Sequence, residues 1–301
     1  MYFRSEMKKI FTIITFFFLF FNLLIMFSIQ ANSEKTNNKK LFLGGTGEGN
    51  YSSIQDAINN ATNGSIIYVY SGEYYGSIFI NKSISLIGNN SEDTIISGIW
   101  EVIKINADHV SISGFKIILI HGTISGINHT YSGIELIDSE NCFITNNKIS
   151  ANNGIYISNS NNNSIINNSI LNCSVYGIKL SQDCKNNIIY HNNLINNSHS
   201  AYDMGNNHWY NTDLKQGNYW DNYTGCDKNN DGIGDSSFII FGGENKDEYP
   251  LVNPYFGKVI LNEFYVNYDD IYRMLVIGLV VAIIFCLPIA YIWYRKYYLK
   301  K

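Results

Sequence analysis

The residues with the clearest chemistry lie in the segment 227–235, DKNNDGIGD, within a predicted C-terminal cap at 216–251. Oxygen ligands for a hard cation are offered at alternate positions by Asp227, Asn229, Asp231, the carbonyl of Ile233, and Asp235. This order matches the first part of an EF-hand loop, in which Ca²⁺ takes many oxygen ligands. Phe238 replaces the bidentate glutamate that ends such a loop, so Asp221 or Asp247 would have to complete the shell. We predict a structural Ca²⁺ site here, and the alternative is a solvated turn of Asp, Asn and Gly.

Four aromatic residues near this segment have two possible roles; they are Trp209, Tyr219, Trp220 and Tyr223. They could form a platform on which the sugar rings of a glycan stack, or they could plug the C-terminal end of the protein core. We prefer the plug, because the open end of a repeating β-structure exposes core side chains and unpaired strand edges.

A repeat in the middle of the chain must position these residues. Its copies begin at Gly133, Gly154 and Gly177 and align on Asn147, Asn168 and Asn192, which are spaced by 21 and 24 residues. Units of this length stack, because none of them buries an apolar face alone. Alternating Ile, Tyr, Ser and Thr, broken by Asn and Gly, indicate short strands separated by bends. We predict an all-β fold, a single-stranded parallel β-helix in which the three asparagines form an amide ladder.

The β-helix is expected to occupy residues 41–215, with about six coils of roughly 22 residues each. Tyr51–Ala61 has apolar residues at helical spacing and is predicted to form an N-terminal capping helix, with Ser53 and Asp56 in a capping box. We take Ser65–Tyr70 as the start of the first coil, and residues 119–132 as a loop inserted into the regular path.

The two ends of the chain predict export and a membrane anchor. Residues 1–33 have a basic start, an apolar run and small residues, as in a signal peptide or a retained N-terminal anchor, and a polar linker follows at 34–40. After a stalk at 252–273, residues 274–294 form an apolar segment of spanning length, a predicted transmembrane helix. The basic tail, 295–301, then stays in the cytoplasm. We predict a single-pass protein of the cell membrane with its β-helix outside the cell.

Charge and cysteine usage narrow the possible partners. Charged residues make up only 15% of the chain and the formal net charge is -4, so there is no basic patch for nucleic acid, which we exclude as a partner.

Outside the apolar C-terminal segment there are four cysteines, Cys142, Cys173, Cys184 and Cys226. An even number in an exported protein permits two disulfides, whose connectivity the sequence leaves open.

Specific motifs flank the repeat. GNYWDNYTG (217–225), DKNNDGIGD and DEYPL (247–251) follow the coils, and YSSIQDAINNA (51–61) followed by INKSISLIG (80–88) forms the opening of the domain. Together they resemble the NosD-type β-helix family, common among surface proteins of archaea, over about residues 41–251. The resemblance implies a right-handed parallel β-helix of the pectate-lyase-like superfamily. NosD proper is associated with copper delivery to a reductase, but methionine is scarce here and no cluster of Cys, His and Met is apparent, so we do not expect copper.

Three functions remain open. The first is a membrane-anchored, non-catalytic surface protein that binds glycans or other surface proteins. The second is a polysaccharide lyase or hydrolase; such an enzyme needs clustered carboxylates and a base, and only Glu135 and Asp138, with Lys148 and Lys179, are loosely near one another. The third is a NosD-like accessory factor for metalloenzyme maturation. We favour the first.

Overall fold

The computed structural model describes residues 39–47, 50–120 and 130–256. The predicted export segment, transmembrane helix and basic tail lie outside the described residues, as do most of the linker and stalk and residues 121–129 of the inserted loop. Within the described ranges, no helix is both long enough and apolar enough to cross a membrane.

This part of the chain contains a short α-helix, α1 (Ile54–Asn60), and many short strands. In chain order the strands are β1 (Lys40–Leu43), β2 (Ile66–Val69), β3 (Gly72–Tyr75), β4 (Ile78–Ile80), β5 (Ser85–Gly88), β6 (Thr94–Gly98), β7 (Ile103–Ile105), β8 (Ser111–Ser113), β9 (Lys116–Leu119), β10 (Ser132–Ile137), β11 (Phe143–Thr145), β12 (Lys148–Ser150), β13 (Asn153–Ser158), β14 (Ser164–Ile166), β15 (Ser169–Leu171), β16 (Tyr176–Leu180), β17 (Lys185–Tyr190), β18 (Asn193–Ile195), β19 (His199–Asp203), β20 (Asn206–His208), β21 (Tyr219–Trp220), β22 (Phe238–Ile239) and β23 (Lys246–Asp247).

Three parallel sheets contain the strands β1 to β21. The eight-stranded sheet runs β1-β2-β5-β8-β11-β14-β17-β20, the seven-stranded sheet β3-β6-β9-β12-β15-β18-β21, and the six-stranded sheet β4-β7-β10-β13-β16-β19. From β2 to β21, consecutive strands belong to different sheets, and each pairs with strands one coil away. The fold is therefore the predicted right-handed parallel β-helix, with about 7 turns. It is longer than expected because β1 precedes α1 and pairs with β2, so the first coil begins at Lys40 and not at Ser65.

The repeat isoleucines fill the core in columns. Ile112, Ile144, Ile165 and Ile189 pair in successive strands of the eight-stranded sheet, and all four are fully buried. Each contributes about 2 kcal/mol through removal of its side chain from water. Residues beside them in the strands point outward, because side chains alternate between the two faces of a strand.

The predicted asparagine ladder is confirmed. Asn147 Nδ2 donates to Asn168 Oδ1 (3.2 Å), Asn168 Nδ2 donates to Asn192 Oδ1 (3.0 Å), and Asn192 Nδ2 donates to Asn218 Oδ1 (2.9 Å). The residue before each repeat asparagine has a positive φ of 56 to 58°, namely Asn146, Asn167 and His191. This conformation, which Asn tolerates well, turns the chain at the corner so that the next side chain points into the core.

The helix α1 covers the N-terminal edge of the six-stranded sheet. The Gln55 side chain accepts from the backbone N–H of Phe79 (2.8 Å) and donates to its carbonyl (3.2 Å), so it pairs with β4 as a further strand would. Lys82 Nζ donates to carbonyls at the C-terminal end of α1, including those of Asn59 and Ala61 at 2.8 Å. At the start of the helix, Ser53 Oγ accepts from the backbone N–H of Asp56, which confirms the Ser53 half of the predicted capping box.

Residues 211–256 close the other end. Phe241 bridges to Tyr202 of β19 and Leu251 bridges to Tyr219 of β21, so the last strands of two sheets gain neighbours. Strands β22 and β23 pair antiparallel beside them. The predicted C-terminal cap therefore covers strand edges that would otherwise be free.

The four described cysteines are all free thiols. Cys142, Cys173 and Cys184 are buried at corners of the coils, where Asn or Ser stands in neighbouring coils, and their Sγ atoms contact carbonyl oxygens. The two disulfides that the sequence permitted are therefore not formed among them. Burial raises the pKa of Cys142 and of Cys173 to about 11, so both stay protonated at neutral pH.

Candidate functional site

The predicted calcium loop folds as a series of turns held by its own side chains. Asp227 accepts from the backbone N–H groups of Asp231 (3.2 Å) and Gly232 (2.9 Å). Asp231 Oδ1 accepts from the N–H of Ile233 (2.9 Å), and Asp235 Oδ2 accepts from the N–H of Lys228 (3.1 Å). The structure thus brings the predicted ligands into one compact loop in the cap. Asn229 also takes part, with Nδ2 donating to Asp231 Oδ2 (2.8 Å).

The residues that were expected to complete a Ca²⁺ shell are engaged elsewhere. Asp247 is fully buried in the cap, and Asp221 accepts a hydrogen bond from the backbone N–H of Asn196. Phe238 stacks on Trp220 with ring centroids 4.2 Å apart, which explains why an apolar residue replaces the EF-hand glutamate there. Among the described residues, no three His, Cys, Asp or Glu side chains are grouped so as to hold a metal ion.

The two tryptophans plug the core. Trp209 and Trp220 are 0% and 1% exposed, and their ring centroids lie 5.7 Å apart. They have no open face for a sugar, so the platform predicted as the alternative is wrong for them. Tyr219 and Tyr223 are half-buried, and the Tyr223 hydroxyl donates to the carbonyl of Ser236 (2.7 Å).

The asparagine ladder ends on a buried carboxylate. Asp247 Oδ2 accepts from the backbone N–H of Asn218 (2.7 Å) and from the indole N–H of Trp220 (2.9 Å), and Oδ1 accepts from the N–H of Tyr249 (3.0 Å). Donors point along the ladder toward the C-terminal end, so its last member needs a group that only accepts. Burial raises the pKa of Asp247 to about 6, against the lowering effect of these donors.

A second ladder, which the sequence analysis missed, ends in the same way. It comprises Asn163, Asn187 and Asn207. Asp203 accepts from Asn207 Nδ2 (2.9 Å) and from the indole N–H of Trp209 (2.8 Å), and burial raises its pKa. The terminator of the first ladder, Asp247, thus belongs to the DEYPL motif, whereas that of the second, Asp203, ends the last strand of the six-stranded sheet. The repeated Asn before Ser164 and before Ile188 was the signal that could have revealed this ladder.

The outer face of the six-stranded sheet is the strongest candidate for a binding surface. One outward position in each successive strand forms what we call the aromatic–lysine column, which consists of Phe79, Lys104, Glu135, Tyr156, Lys179, Tyr202 and Phe241. Their strand neighbours point into the core, so these side chains lie on the surface, stacked from coil to coil at about 4.8 Å. Four of the seven are aromatic.

Lys179 lies over the rings of Tyr156 and Tyr176, in a ring cluster that Tyr202 extends through its contact with Tyr176. Its Nζ atom is 5.5 Å from the ring centroid of Tyr156 and 5.4 Å from that of Tyr176. The rings of Tyr176 and Tyr202 are 5.3 Å apart, and Phe241 lies 5.7 Å beyond Tyr202. Such contacts hold a lysine ammonium over aromatic faces. No described residue hydrogen-bonds to the three tyrosine hydroxyls, which are therefore available to a ligand.

The charged residues thought to lie near one another are placed differently. Glu135 pairs with Lys104 (3.3 Å) on the column, whereas Lys148 belongs to the seven-stranded sheet and pairs with Glu92 (3.1 Å). Asp138 lies at a corner, where its Oδ1 accepts from Asn159 Nδ2. The loosely gathered group of two acids and two lysines therefore does not exist as one site.

The column could have been found by aligning the repeats on their first glycine. Two residues after Gly133, Gly154 and Gly177 stand Glu135, Tyr156 and Lys179. A Cβ atom at Gly154 would lie only 2.5 Å from the carbonyl oxygen of Gly177 and from Ile170 Cγ2, so these glycines let adjacent coils approach closely. These close contacts fix the register of neighbouring coils, and that register places the residues of the column next to one another.

A family model described as "Periplasmic copper-binding protein (NosD)" matches residues 28–225. The chain belongs to the NosD family. A search of curated proteins found no match to the sequence.

Solved structures similar to this NosD-family protein include ORF18 of Geobacillus virus E2, at 22% identity and a TM-score of 0.42. That match covers 65% of this chain and 44% of ORF18, so the chain spans less than half of the viral protein. A pectin methylesterase from Erwinia chrysanthemi is 11% identical, with a TM-score of 0.36 over 54% of this chain and 66% of the enzyme. A mutant pectin methylesterase in complex with a hexasaccharide is 13% identical, with a TM-score of 0.35 over 60% and 64%.

The described side chains do not fit the copper that the family description implies. Cu(I) prefers thiolate and thioether ligands, but Cys142 and Cys173 hold their protons and lie in separate corners. His191 is buried, with Nε2 2.7 Å from Gln216 Oε1 and its ring stacked on Tyr255 at 3.7 Å. These two thiols and this imidazole are thus each used in packing, and among the described residues no three His, Cys, Asp or Glu side chains are grouped to hold a metal ion.

Proposed function

We propose that this NosD-family protein is a membrane-anchored, non-catalytic surface protein that binds glycans through its aromatic–lysine column. The observation that carries the proposal is the ring cluster of Tyr156, Tyr176 and Tyr202 on the outer face of the six-stranded sheet. Aromatic rings offer flat apolar faces, and their free hydroxyls offer hydrogen bonds, which is the mixture a sugar ring requires.

A regular ladder of side chains suits a polymeric ligand. Each coil repeats the same outward position, so a glycan chain that lies along the solenoid meets a side chain at every step of about 4.8 Å. The binding energy is then the sum of several modest contacts held by a rigid scaffold, which lowers the entropic cost of association.

Binding without cleavage is favoured by the charges of the column. Glycoside hydrolysis uses two carboxyl groups on either side of the scissile bond. Glu135 is the single carboxylate of the column, and it is paired with Lys104 at 3.3 Å. An enzyme of the pectate-lyase-like group remains the alternative.

The sequence and the family both support the proposed location. The family is described as periplasmic, which agrees with a β-helix outside the cytoplasm. We propose that the segment 274–294 holds the protein in the membrane and that the Asp227–Asp235 loop binds Ca²⁺ to fasten the cap, as the residue pattern predicts.

Binding of the full-length chain to a glycan panel tests the proposal. The chain is kept in a polyoxyethylene detergent, which has no sugar headgroup to compete. We expect Tyr156→Ala to weaken binding about tenfold, and Tyr68→Ala to leave it unchanged, because Tyr68 is an outward tyrosine of the eight-stranded sheet, stacked on Phe42 at 5.5 Å. Equal loss in both variants would place binding elsewhere, and release of soluble products from any glycan would show an enzyme. Binding only to another surface protein would replace the glycan as the ligand.

A further inference from the structure

We infer that the aromatic–lysine column selects anionic glycans, with a sugar carboxylate bound at the Lys179 ammonium. The inference rests on the proposed glycan-binding function and adds the chemical class of the ligand. The juxtaposition that carries it is a cation held over two tyrosine rings on a surface of stacked aromatic side chains.

Lys179 has no acidic partner among the described residues. Other lysines do: Lys104 pairs with Glu135, Lys148 with Glu92, and Lys246 with Glu248. Because Lys179 is half-buried between rings, its ammonium loses part of its hydration without gaining an anion. An incoming carboxylate would supply the missing partner in surroundings that strengthen the attraction.

The rings also fix where the ammonium lies. A free lysine side chain loses considerable rotamer entropy when it binds a ligand. The rings of Tyr156 and Tyr176 lie 5.5 and 5.4 Å from Nζ, so much of this ordering is already present before binding. Pyranose rings next to the bound carboxylate would pack on Tyr156 toward one end of the column and on Tyr202 toward the other.

Charge complementarity supports an anion at this position. Two lysines and one glutamate give the column a formal charge of +1, in a chain whose net charge is -4. Glu135 lies two strands from Lys179 and is already paired with Lys104. It would repel a carboxylate near β10, so the acidic sugar is directed toward the Lys179 side of the column.

The test compares three polymers and two lysine variants on the full-length chain. Polygalacturonate supplies carboxylates, dextran sulfate supplies sulfates, and dextran is neutral. We expect polygalacturonate to bind more tightly than dextran, and Lys179→Met to weaken the polygalacturonate complex about tenfold while dextran binding stays the same. Lys179→Arg should retain the preference. Raising the salt concentration should weaken only the acidic complex.

Lys116→Met is the matched control. Like Lys179, Lys116 is a half-buried outward lysine without an acidic partner in the described region. It differs in lying on the seven-stranded sheet, where no described aromatic ring contacts its ammonium. Equal losses in the Lys116 and Lys179 variants, or preference for dextran sulfate that survives Lys179→Met, would mean nonspecific attraction and overturn the inference. Equal binding of dextran and polygalacturonate would overturn it too, while leaving the proposed function intact. Failure of every polymer to bind would reject the proposed function itself.

Discussion

Replacement of Asn168 by Asp should destabilise the protein far more at neutral than at acidic pH. Asn168 is fully buried in the first ladder, and Asn168→Asp changes one NH₂ group to an oxygen without altering the shape of the side chain. In the native protein, Nδ2 donates to the carbonyl of Ile144 (2.8 Å), the carbonyl of Ile166 (3.1 Å) and Asn192 Oδ1 (3.0 Å). The new oxygen would face three acceptors and no donor.

The size of the effect follows from these contacts. A protonated carboxyl can donate to one of the three acceptors, so at low pH the loss is about one buried hydrogen bond, roughly 2 kcal/mol. Ionisation would bury an unpaired charge against oxygen atoms, so the folded pKa is raised above the unfolded value of about 3.9. Remaining protonated at pH 7 costs about 1.4 kcal/mol per pH unit, or about 4 kcal/mol more. We expect a loss of about 2 kcal/mol near pH 4 and about 6 kcal/mol at pH 7.

Urea unfolding followed by circular dichroism at pH 4.5 and pH 7 measures both losses. Asp247 titrates in both proteins, so its contribution cancels when the free energy of unfolding of the variant is subtracted from that of the native protein. Asn186→Asp is the control, because Asn186 is exposed and has a positive φ of 57° that Asp also tolerates. Losses of equal size at the two pH values, or no larger than in the control, would refute the directional ladder. A variant that unfolds cooperatively at pH 4.5 and fails to fold at pH 7 agrees with it.

Three further predictions concern the cap and the thiols. Burial raises the pKa of Asp247 from 3.8 to about 6. The contribution of protonated Asp247 to the free energy of unfolding is therefore complete below about pH 4 and falls by about 3 kcal/mol as the pH rises to 7. Urea titrations of Asp247→Asn should lack this decrease of stability with pH. Millimolar Ca²⁺ should raise the melting temperature by a few degrees and Asp231→Ala should abolish the rise, whereas an unchanged native melting temperature would remove the calcium prediction. Iodoacetamide should modify the exposed Cys226 in the native protein and leave Cys142 and Cys173 unmodified, and a mass spectrum with all three modified at equal rates would contradict their burial.

The scaffold could be predicted from the sequence because its signals are local and repeated. Ile144, Ile165 and Ile189 recur at fixed distances from Asn147, Asn168 and Asn192, and stacking is the only way that such short units bury their apolar residues. The position of α1 was predicted for the same reason, from apolar spacing and a Ser53 cap. Its place inside the first coil was not, since only the pairing of β1 with β2 decides that.

The candidate site was predicted poorly because its members are far apart in sequence. Lys104, Glu135, Tyr156, Lys179 and Tyr202 become neighbours only through strand register, and the inserted loop breaks the spacing between the first two. The sequence pattern pointed to the two tryptophans, but only their burial in the structure shows that they plug the core.

The amino-acid pattern was therefore sufficient to predict the parallel β-helix, its asparagine ladder and a distinct C-terminal cap, because periodicity and bend residues act over short distances. The tertiary structure alone decided that the ladders end on Asp203 and Asp247, that the cysteines remain free, and that a lysine lies among tyrosines on one sheet. Those outcomes depend on which coils stack and in which register, and therefore on contacts between residues that no local pattern links.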